Sequence, residues 1–196
     1  MRIFIGIPFQ EREKKSLENL QKIVMEKSEG GRFADPKNFH LTLKFIGEIP
    51  EEKLQPVRAV VKKETQGVPP FKLVLQGFGT FFKGKTCIPW LGVTKGMDRL
   101  QELQEKIEQG LEEIGYEKES RPFRPHMTFG RKVRLSPLAK ADLEEKLTEE
   151  KVALEVSSIA IMESTRKDGK LVYPVIEEFP LENRGFRFWK KEKQNN

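Results

Sequence analysis

Residues 39–46 read FHLTLKFI, and residues 125–132 read PHMTFGRK. Each stretch places a His two positions before a Thr, with an apolar residue directly after each of the two. The histidines, His40 and His126, lie 86 positions apart, and the 196-residue chain contains no other histidine. A shared spacing around both histidines predicts that the two stretches have related structural roles.

Both stretches read as β-strands from their β-branched and aromatic residues. Side chains alternate between the two faces of a strand, so His40 shares a face with Thr42, and His126 shares a face with Thr128. The residues between them, such as Leu41, point into the opposite layer. The sequence therefore predicts a polar face and a core face on each histidine strand.

Two imidazoles and two hydroxyls that converge in one cleft could form a metal-free acid–base pair, because imidazole titrates near neutral pH. Threonine hydroxyls can donate to phosphoryl oxygens, and nearby cations would stabilise negative charge in the transition state. Such a site suits cleavage of a phosphodiester or a cyclic phosphate. A purely structural role for the histidines is the alternative, but Thr fills only 8 of 196 positions. Chance would place Thr after both histidines with a probability of about 0.002.

Strand and helix signals follow the same order in both halves of the chain. The first half predicts a strand at 2–8, a helix at 11–27, the histidine strand at 39–47, a helix at 51–65 that starts irregularly or near Pro56, and a strand at 71–82. The second half predicts a strand at 87–94, a helix striped by Leu100, Leu103, Ile107 and Leu111, the second histidine strand, a short helix with Leu138, Leu143 and Leu147, and strands at 152–164 and 171–179.

This order predicts an α+β fold in one bilobal domain, 1–196, with an approximate internal repeat of 1–82 and 86–182. Two pseudo-symmetric lobes, each an antiparallel sheet with helices outside, would enclose a central cleft. Each lobe would contribute one histidine strand to that cleft. An internally repeated site needs no partner subunit, so we expect a monomer.

The composition is that of a globular chain, with 37% hydrophobic and 34% charged residues. No signal-peptide pattern or membrane-spanning apolar run is present, so we expect a soluble cytoplasmic protein. The single cysteine, Cys87, excludes an intramolecular disulfide and fits a reducing compartment. Two His and one Cys are too few for a structural zinc site, so we expect no metal or cofactor. The net charge of +6 makes an anionic partner such as RNA plausible.

The segments HLTL and HMTF match a paired H-x-T-x signature, and through them the chain resembles the two-histidine phosphoesterase superfamily. More narrowly it resembles the bacterial and archaeal RNA 2′,3′-cyclic phosphodiesterases, also called 2′–5′ RNA ligases. That similarity runs nearly end to end through RIFIGIPF, FHLTLKFIGEIP, PWLGV, FRPHMTFGR and IMES…LVYPVIEEFPL.

The resemblance implies a LigT-like fold and the opening of RNA 2′,3′-cyclic phosphate ends to 2′-phosphates, with a weak reverse 2′–5′ joining in some members. It implies His40 as the proton donor and His126 as the proton acceptor. It also implies that Thr42 and Thr128 bind phosphate. RNA with cyclic phosphate ends, tRNA fragments among the candidates, would be the partner.

Four further residues are candidates for binding the nucleotide. Strand alternation places Lys44 on the face of His40 and Arg124 on the face of His126. It places Arg131 on the opposite face unless a bulge at Gly130 turns the chain. Phe9, at the end of the first strand, is a candidate for stacking on a base.

Two other features favour structural interpretations. Trp90 lies in a strand-like stretch, where core packing is a better explanation than base stacking. The basic C-terminal segment 183–196 interleaves Arg and Lys with aromatic residues. A solvated tail explains it better than an RNA contact does.

Two rival functions remain open from the sequence. One is another two-histidine activity, on 2′–5′ linked oligonucleotides or on a small cyclic phosphate. The other is a non-catalytic module that holds RNA ends. Such a module would bind RNA in a salt-dependent way even after both histidines were replaced.

Overall fold

The structure is a computed structural model that describes residues 1–182, so the predicted basic tail, 183–196, lies outside the described residues. The strands in chain order are β1 Arg2–Pro8, β2 Arg32–Phe33, β3 His40–Glu48, β4 Phe71–Lys83, β5 Thr86–Lys95, β6 His126–Thr128, β7 Gly130–Arg131, β8 Val152–Val156, β9 Ser158–Glu163, β10 Thr165–Lys167, β11 Lys170–Val172 and β12 Val175–Pro180. The α-helices are α1 Glu11–Lys27, α2 Leu54–Thr65, α3 Met97–Glu113 and α4 Pro137–Leu147.

Two antiparallel four-stranded sheets form the framework. The first sheet has the strand order β12–β9–β1–β3, and the second has the order β6–β5–β4–β8. The histidine strands β3 and β6 are therefore edge strands of different sheets, and they contact each other. The predicted α+β class, with helices and an antiparallel sheet on each side, is confirmed.

The two sheets exchange strands between the halves of the sequence. In the first sheet β1 pairs with β9 from the second half, and in the second sheet β5 pairs with β4 from the first half. Neither sheet is thus built from one contiguous half. The positions nevertheless correspond, because β3 and β6 are edges next to β1 and β5 respectively. Helices α1 and α3 also begin and end 86 positions apart, as an internal repeat with exchanged strands would produce.

Helices cover one face of each sheet, and the other face is directed towards the cleft. Helices α1 and α4 pack on each other and on β8 and β4, whereas α2 and α3 pack on each other and on the first sheet. In α1 the apolar residues Leu17, Leu20 and Val24 recur at helical spacing and are buried. Each such side chain contributes about 1.5–3 kcal/mol by leaving water.

Prolines fix where several elements begin. Pro56 lies in the first turn of α2, where its missing N–H costs nothing, and a 3₁₀ turn at Glu51–Lys53 precedes the helix, as the predicted irregular start requires. In α4, Pro137 occupies the first turn, and the Ser136 hydroxyl caps the helix by accepting from the Ala139 N–H at 3.1 Å. Leu138, Leu143 and Leu147 lie on this helix as predicted; Leu143 and Leu147 are buried, whereas Leu138 is 83% exposed.

The predicted strand 152–164 is wrong as a single element. It divides at residue 157 into β8 and β9, which join different sheets. The predicted strand 171–179 divides in the same way into β11 and β12, on either side of Pro174, which has no N–H to offer a ladder. Within residues 1–182, no helix combines the length and apolarity needed to cross a membrane.

Candidate active site between the histidine strands

A cleft of about 780 Å³ opens between the two sheets where β3 and β6 meet. His40 and Thr42 line one wall, and His126 and Thr128 line the other. The structure thus brings together the four residues that the sequence singled out. Leu41 lies between His40 and Thr42, and Met127 lies between His126 and Thr128. As strand alternation requires, both side chains point away from the cleft and are fully buried in the core.

The His40 ring is held at both nitrogens. Its Nδ1 lies 2.7 Å from the carbonyl oxygen of Asn38, and its Nε2 lies 3.1 Å from the Thr42 hydroxyl. A carbonyl oxygen can only accept, so Nδ1 carries the proton that it donates. In the neutral ring Nε2 is then an acceptor, and the Thr42 hydroxyl donates to it.

The His126 ring repeats the contact at Nδ1. Its Nδ1 lies 2.7 Å from the carbonyl oxygen of Arg124, the residue two positions earlier, just as Asn38 is two positions before His40. Nδ1 again carries the donated proton, so Nε2 is the reactive nitrogen in both rings. The two frames therefore set the same tautomer through main-chain carbonyls rather than through carboxylates.

Both imidazoles are less basic than in solution. Burial lowers the pKa of His40 to about 4, opposed by the hydrogen bond to the Asn38 carbonyl and reinforced by the positive charges of Arg131 and His126. Burial, reinforced by Arg131, also lowers the pKa of His126. Both rings are therefore mainly neutral at pH 7. A negative charge placed between them would raise both pKa values and favour a shared proton.

Aromatic side chains flank each imidazole in matching positions. The Phe4 ring lies 4.7 Å from the His40 ring, and Trp90, 86 positions later, lies 6.1 Å from the His126 ring. The ring centroids of Tyr173 and Phe81 each lie 5.0 Å from the centroid of the neighbouring histidine, His40 and His126 respectively, at near-perpendicular interplanar angles of 84° and 83°. These rings exclude water from the imidazoles, which explains the burial that depresses the pKa values.

Arg131 lies in the cleft because the second histidine strand breaks. β6 ends at Thr128, the buried Phe129 interrupts it, and β7 continues at Gly130 paired with β2. This break acts as the bulge that alternation alone could not predict. The Arg131 side chain is exposed and lines the cleft beside Thr128.

The expectation that Lys44 shares the face of His40 is wrong. The pairing of β3 with β1 shifts between Ile5 and Gly6, which leaves one extra residue on β3 and reverses the alternation beyond Leu43. Lys44 consequently points away from the cleft and is 8% exposed. Its Nζ donates to Glu108 Oε2 at 2.8 Å and to the Glu117 carbonyl at 2.7 Å.

Phe45 takes the place in the cleft that was expected for Lys44. The ring is 50% exposed and lines the cleft, and the Arg2 guanidinium lies 4.9 Å above its centroid. No signal in the sequence identified Phe45, because the bulge depends on pairing with a distant strand. Phe45 follows His40 by five residues, just as Arg131 follows His126 by five residues.

Two other predicted nucleotide contacts lie elsewhere. The Arg124 side chain is exposed but does not line the cleft, and its contribution to the site is the carbonyl that holds His126. Phe9 is 5% exposed in the hydrophobic core, because the chain turns into α1 directly after β1. Cys87 is buried, and burial raises the pKa of its thiol, as expected for a packing residue.

Further residues that the sequence did not single out also line the cleft. The hairpin of β10 and β11 contributes Arg166 and Lys170, and Tyr173 follows it. The quoted stretch LVYPVIEEF contains Tyr173, so the family resemblance pointed at this segment without giving the residue a role. Among residues 1–182, no group of three or more His, Cys, Asp or Glu side chains is placed to hold a metal ion.

The sequence is similar to those of known proteins. A sequence model of the 2′-5′ RNA ligase superfamily matches residues 9–168. An RNA 2′,3′-cyclic phosphodiesterase of Thermotoga maritima is 32% identical over 194 residues, covering 96% of this chain and 100% of that protein. One of Methanothermobacter thermautotrophicus is 28% identical, covering 92% of this chain and 99% of that protein.

Solved structures share the fold. The crystal structure of TT0787 from Thermus thermophilus superimposes with a TM-score of 0.76 at 26% identity and covers 94% of this chain and 100% of its own. The apo form of Escherichia coli LigT gives a TM-score of 0.73 at 22% identity and covers 91% of this chain and 96% of its own. The matched residues include both histidine frames, and the chain belongs to the 2′-5′ RNA ligase superfamily.

Proposed function

We propose that this protein hydrolyses 2′,3′-cyclic phosphate ends of RNA to 2′-phosphates, with two histidines as acid and base and no metal ion. The observation that carries the proposal is the matched pair of imidazoles. Both line one cleft, and both donate from Nδ1 to a carbonyl oxygen at 2.7 Å, which leaves Nε2 of each as the reactive nitrogen. The relatives named RNA 2′,3′-cyclic phosphodiesterase support the choice of substrate.

In the proposed reaction a water oxygen attacks phosphorus while the bond from phosphorus to the ribose 3′ oxygen breaks. Nε2 of His126 takes a proton from the water, and Nε2 of His40 gives its proton to the departing 3′ oxygen. The product carries a 3′-hydroxyl and a 2′-phosphate. His126 ends protonated and His40 ends neutral, so His126 must release one proton to solvent and His40 must take one up to restore the pair.

The remaining cleft residues stabilise charge. The hydroxyls of Thr42 and Thr128 donate to the non-bridging phosphoryl oxygens, and the Arg131 guanidinium adds positive charge to the same cleft. Because the pKa of His40 is about 4 in the free protein, the ring is mainly deprotonated at pH 7. The bound phosphate is therefore part of the acid, since its charge raises the pKa of His40 on arrival.

The same groups can serve a reverse joining reaction. When the 5′-hydroxyl of a second RNA replaces water as the nucleophile, its attack with departure of the 3′ oxygen forms a 2′–5′ phosphodiester. Water is present at far higher concentration than any 5′-hydroxyl, so hydrolysis dominates. We place this joining as a weak side reaction of the same site.

The decisive test is incubation with RNA that ends in a 2′,3′-cyclic phosphate, in buffer with a chelator, followed by identification of the product end. A 2′-phosphate with full activity in chelator is the expected result. A 3′-phosphate, or activity only on 2′–5′ linked oligonucleotides or small cyclic phosphates, would replace the substrate assignment. RNA binding without any turnover would make the protein a module that holds RNA ends.

A further inference from the structure

Asn38 joins two parts of the cleft that no strand pairing connects. Its side-chain Nδ2 donates to the Leu171 carbonyl at 2.8 Å, and its Oδ1 accepts from the Tyr173 N–H at 3.2 Å. Its own carbonyl accepts from His40 Nδ1 at 2.7 Å. One residue thus holds both the end of strand β11 and the ring that we assign as the proton donor.

The segment that Asn38 holds is the β10–β11 hairpin. Its strands pair with each other and form a separate two-stranded sheet. The turn is tight, with positive φ at Asp168 (51°) and Gly169 (75°). Two cationic residues of the hairpin, Arg166 and Lys170, are exposed and line the cleft.

The hairpin also reaches His40 through Tyr173. The centroid of the Tyr173 ring lies 5.0 Å from that of His40 and 5.2 Å from that of Phe4, and the Phe4 and His40 centroids are 4.7 Å apart, so the three rings form one mutually packed cluster. Because Asn38 accepts from the main-chain N–H of Tyr173, it fixes this ring relative to His40. Displacement of the hairpin would therefore alter both the packing and the tether of His40.

The second histidine frame shows which part of this arrangement is special to the first. Arg124 stands two positions before His126 and supplies the same carbonyl contact at 2.7 Å. An arginine side chain has no acceptor, so it could not satisfy both a carbonyl and an N–H as the Asn38 amide does. The carbonyl tether is common to both frames, and the side-chain link to a cationic hairpin belongs to the His40 frame.

We infer that Asn38 is a positioning residue that couples binding of an RNA strand by the β10–β11 hairpin to the orientation of His40. The inference rests on the proposed function and extends it to nucleotides beyond the terminal one. Phosphates of those nucleotides would meet Arg166 and Lys170 and hold the hairpin in place. Asn38 would pass this restraint to His40, so a longer RNA gains kcat and not only a lower KM.

The test compares two substrates with the same reacting group, cytidine 2′,3′-cyclic phosphate and a short oligoribonucleotide that ends in the same cyclic nucleotide. The unchanged protein should favour the oligoribonucleotide in kcat/KM. Asn38→Ala should lower kcat for the oligoribonucleotide at least tenfold with KM within threefold, and change kcat for the mononucleotide less than threefold. Asn38→Asp keeps the acceptor but loses the Nδ2 donor, and should fall between.

Controls separate coupling from simple weakening. Lys167→Ala removes a positive charge from the same hairpin at a position that does not line the cleft, and should leave both substrates unchanged. Arg166→Ala with Lys170→Ala should raise KM and lower kcat for the oligoribonucleotide, and adding Asn38→Ala should then lower kcat little further. Thermal unfolding of every variant identifies any that fail to fold.

Three outcomes would overturn the inference. Equal losses on both substrates in both Asn38 variants would reduce Asn38 to a structural residue. Unchanged kinetics in Asn38→Ala would remove its role altogether, and the absence of any preference for the oligoribonucleotide would remove the role of the hairpin. An unchanged protein that hydrolyses neither substrate would instead defeat the proposed function, and the inference with it.

Discussion

Replacing Lys44 by Met should destabilise the fold without impairing catalysis. Lys44 and Glu108 are 8% and 7% exposed, and their charged groups meet at 2.8 Å. Without Lys44, the Glu108 carboxylate would remain buried with the Gln104 amide, at 3.1 Å, as its hydrogen-bond donor. Removal of one partner from a buried ion pair costs about 3–5 kcal/mol.

That cost is large for a domain of this size. Total stabilities are about 5–15 kcal/mol, and each kcal/mol shifts Tm by roughly 2–4 °C for a chain of 150–250 residues. We therefore expect Tm to fall by about 6–20 °C in Lys44→Met, measured by calorimetry or circular dichroism. Below the transition, kcat/KM for a cyclic phosphate should change less than twofold, because Lys44 points away from the cleft.

Two further variants make this prediction specific. Lys44→Met combined with Glu108→Gln removes both charges and should recover most of the lost stability. Lys106→Met breaks an ion pair of similar length, 2.9 Å to Glu102, whose side chains are 46% and 55% exposed, and should leave Tm nearly unchanged. A loss below about 1 kcal/mol in Lys44→Met would refute the buried-pair reasoning. A tenfold rise in the KM of Lys44→Met for a cyclic phosphate would instead indicate that Lys44 contacts the substrate.

Three other predictions concern the cleft. Because both histidine pKa values are lowered, the plot of kcat/KM against pH should be bell-shaped with its optimum below pH 6.5. Arg131→Met removes a positive charge that lowers both pKa values, so it should shift the optimum to higher pH. An unchanged optimum in this variant would contradict the prediction. The pKa of His40 is about 4 in the fold and 6.5 in an unfolded chain, so stability is present above pH 6.5 and is lost as pH falls towards 4. Denaturant titrations should show that His40→Asn removes about 2 kcal/mol of the loss between pH 7 and pH 5, and an unaltered pH dependence would count against it. A Cβ at Gly79 would lie 2.2 Å from the Trp90 ring, which packs near His126. Gly79→Ala should therefore lower the free energy of unfolding by about 1–3 kcal/mol and reduce turnover. An unchanged Tm would refute the tight packing.

Local patterns predicted the parts of the site that depend on one strand at a time. Alternation placed His40 with Thr42 and His126 with Thr128, and the sequence bounds of β1 and α1 agree with the structure. Such features follow from side-chain spacing along a single element, which the sequence shows directly.

Features that depend on distant pairing could not be predicted. The bulge that buries Lys44 and exposes Phe45 arises where β3 passes Gly6 of β1. A Cβ at Gly6 would lie 2.6 Å from the Leu41 carbonyl, so the close approach there needs glycine. The exchange of β4 and β9 between the sheets is likewise invisible locally, because an 86-residue repeat is compatible with separate or exchanged halves.

The link from the β10–β11 hairpin to His40 shows the same limit. Asn38 and Leu171 are 133 positions apart, and no pattern relates them. Only the fold shows that the residue two places before the first histidine has a second task that its counterpart Arg124 lacks.

The most direct measurement of the central claim is turnover of an RNA 2′,3′-cyclic phosphate, in the presence of chelator, by the unchanged protein and by His40→Ala and His126→Ala. We expect a 2′-phosphate product from the unchanged protein. We also expect a loss of at least about 100-fold in each variant, with folding intact by circular dichroism, because each variant lacks one of the two proton-transfer groups. Near-normal turnover in either variant would contradict the assignment of the two histidines as acid and base.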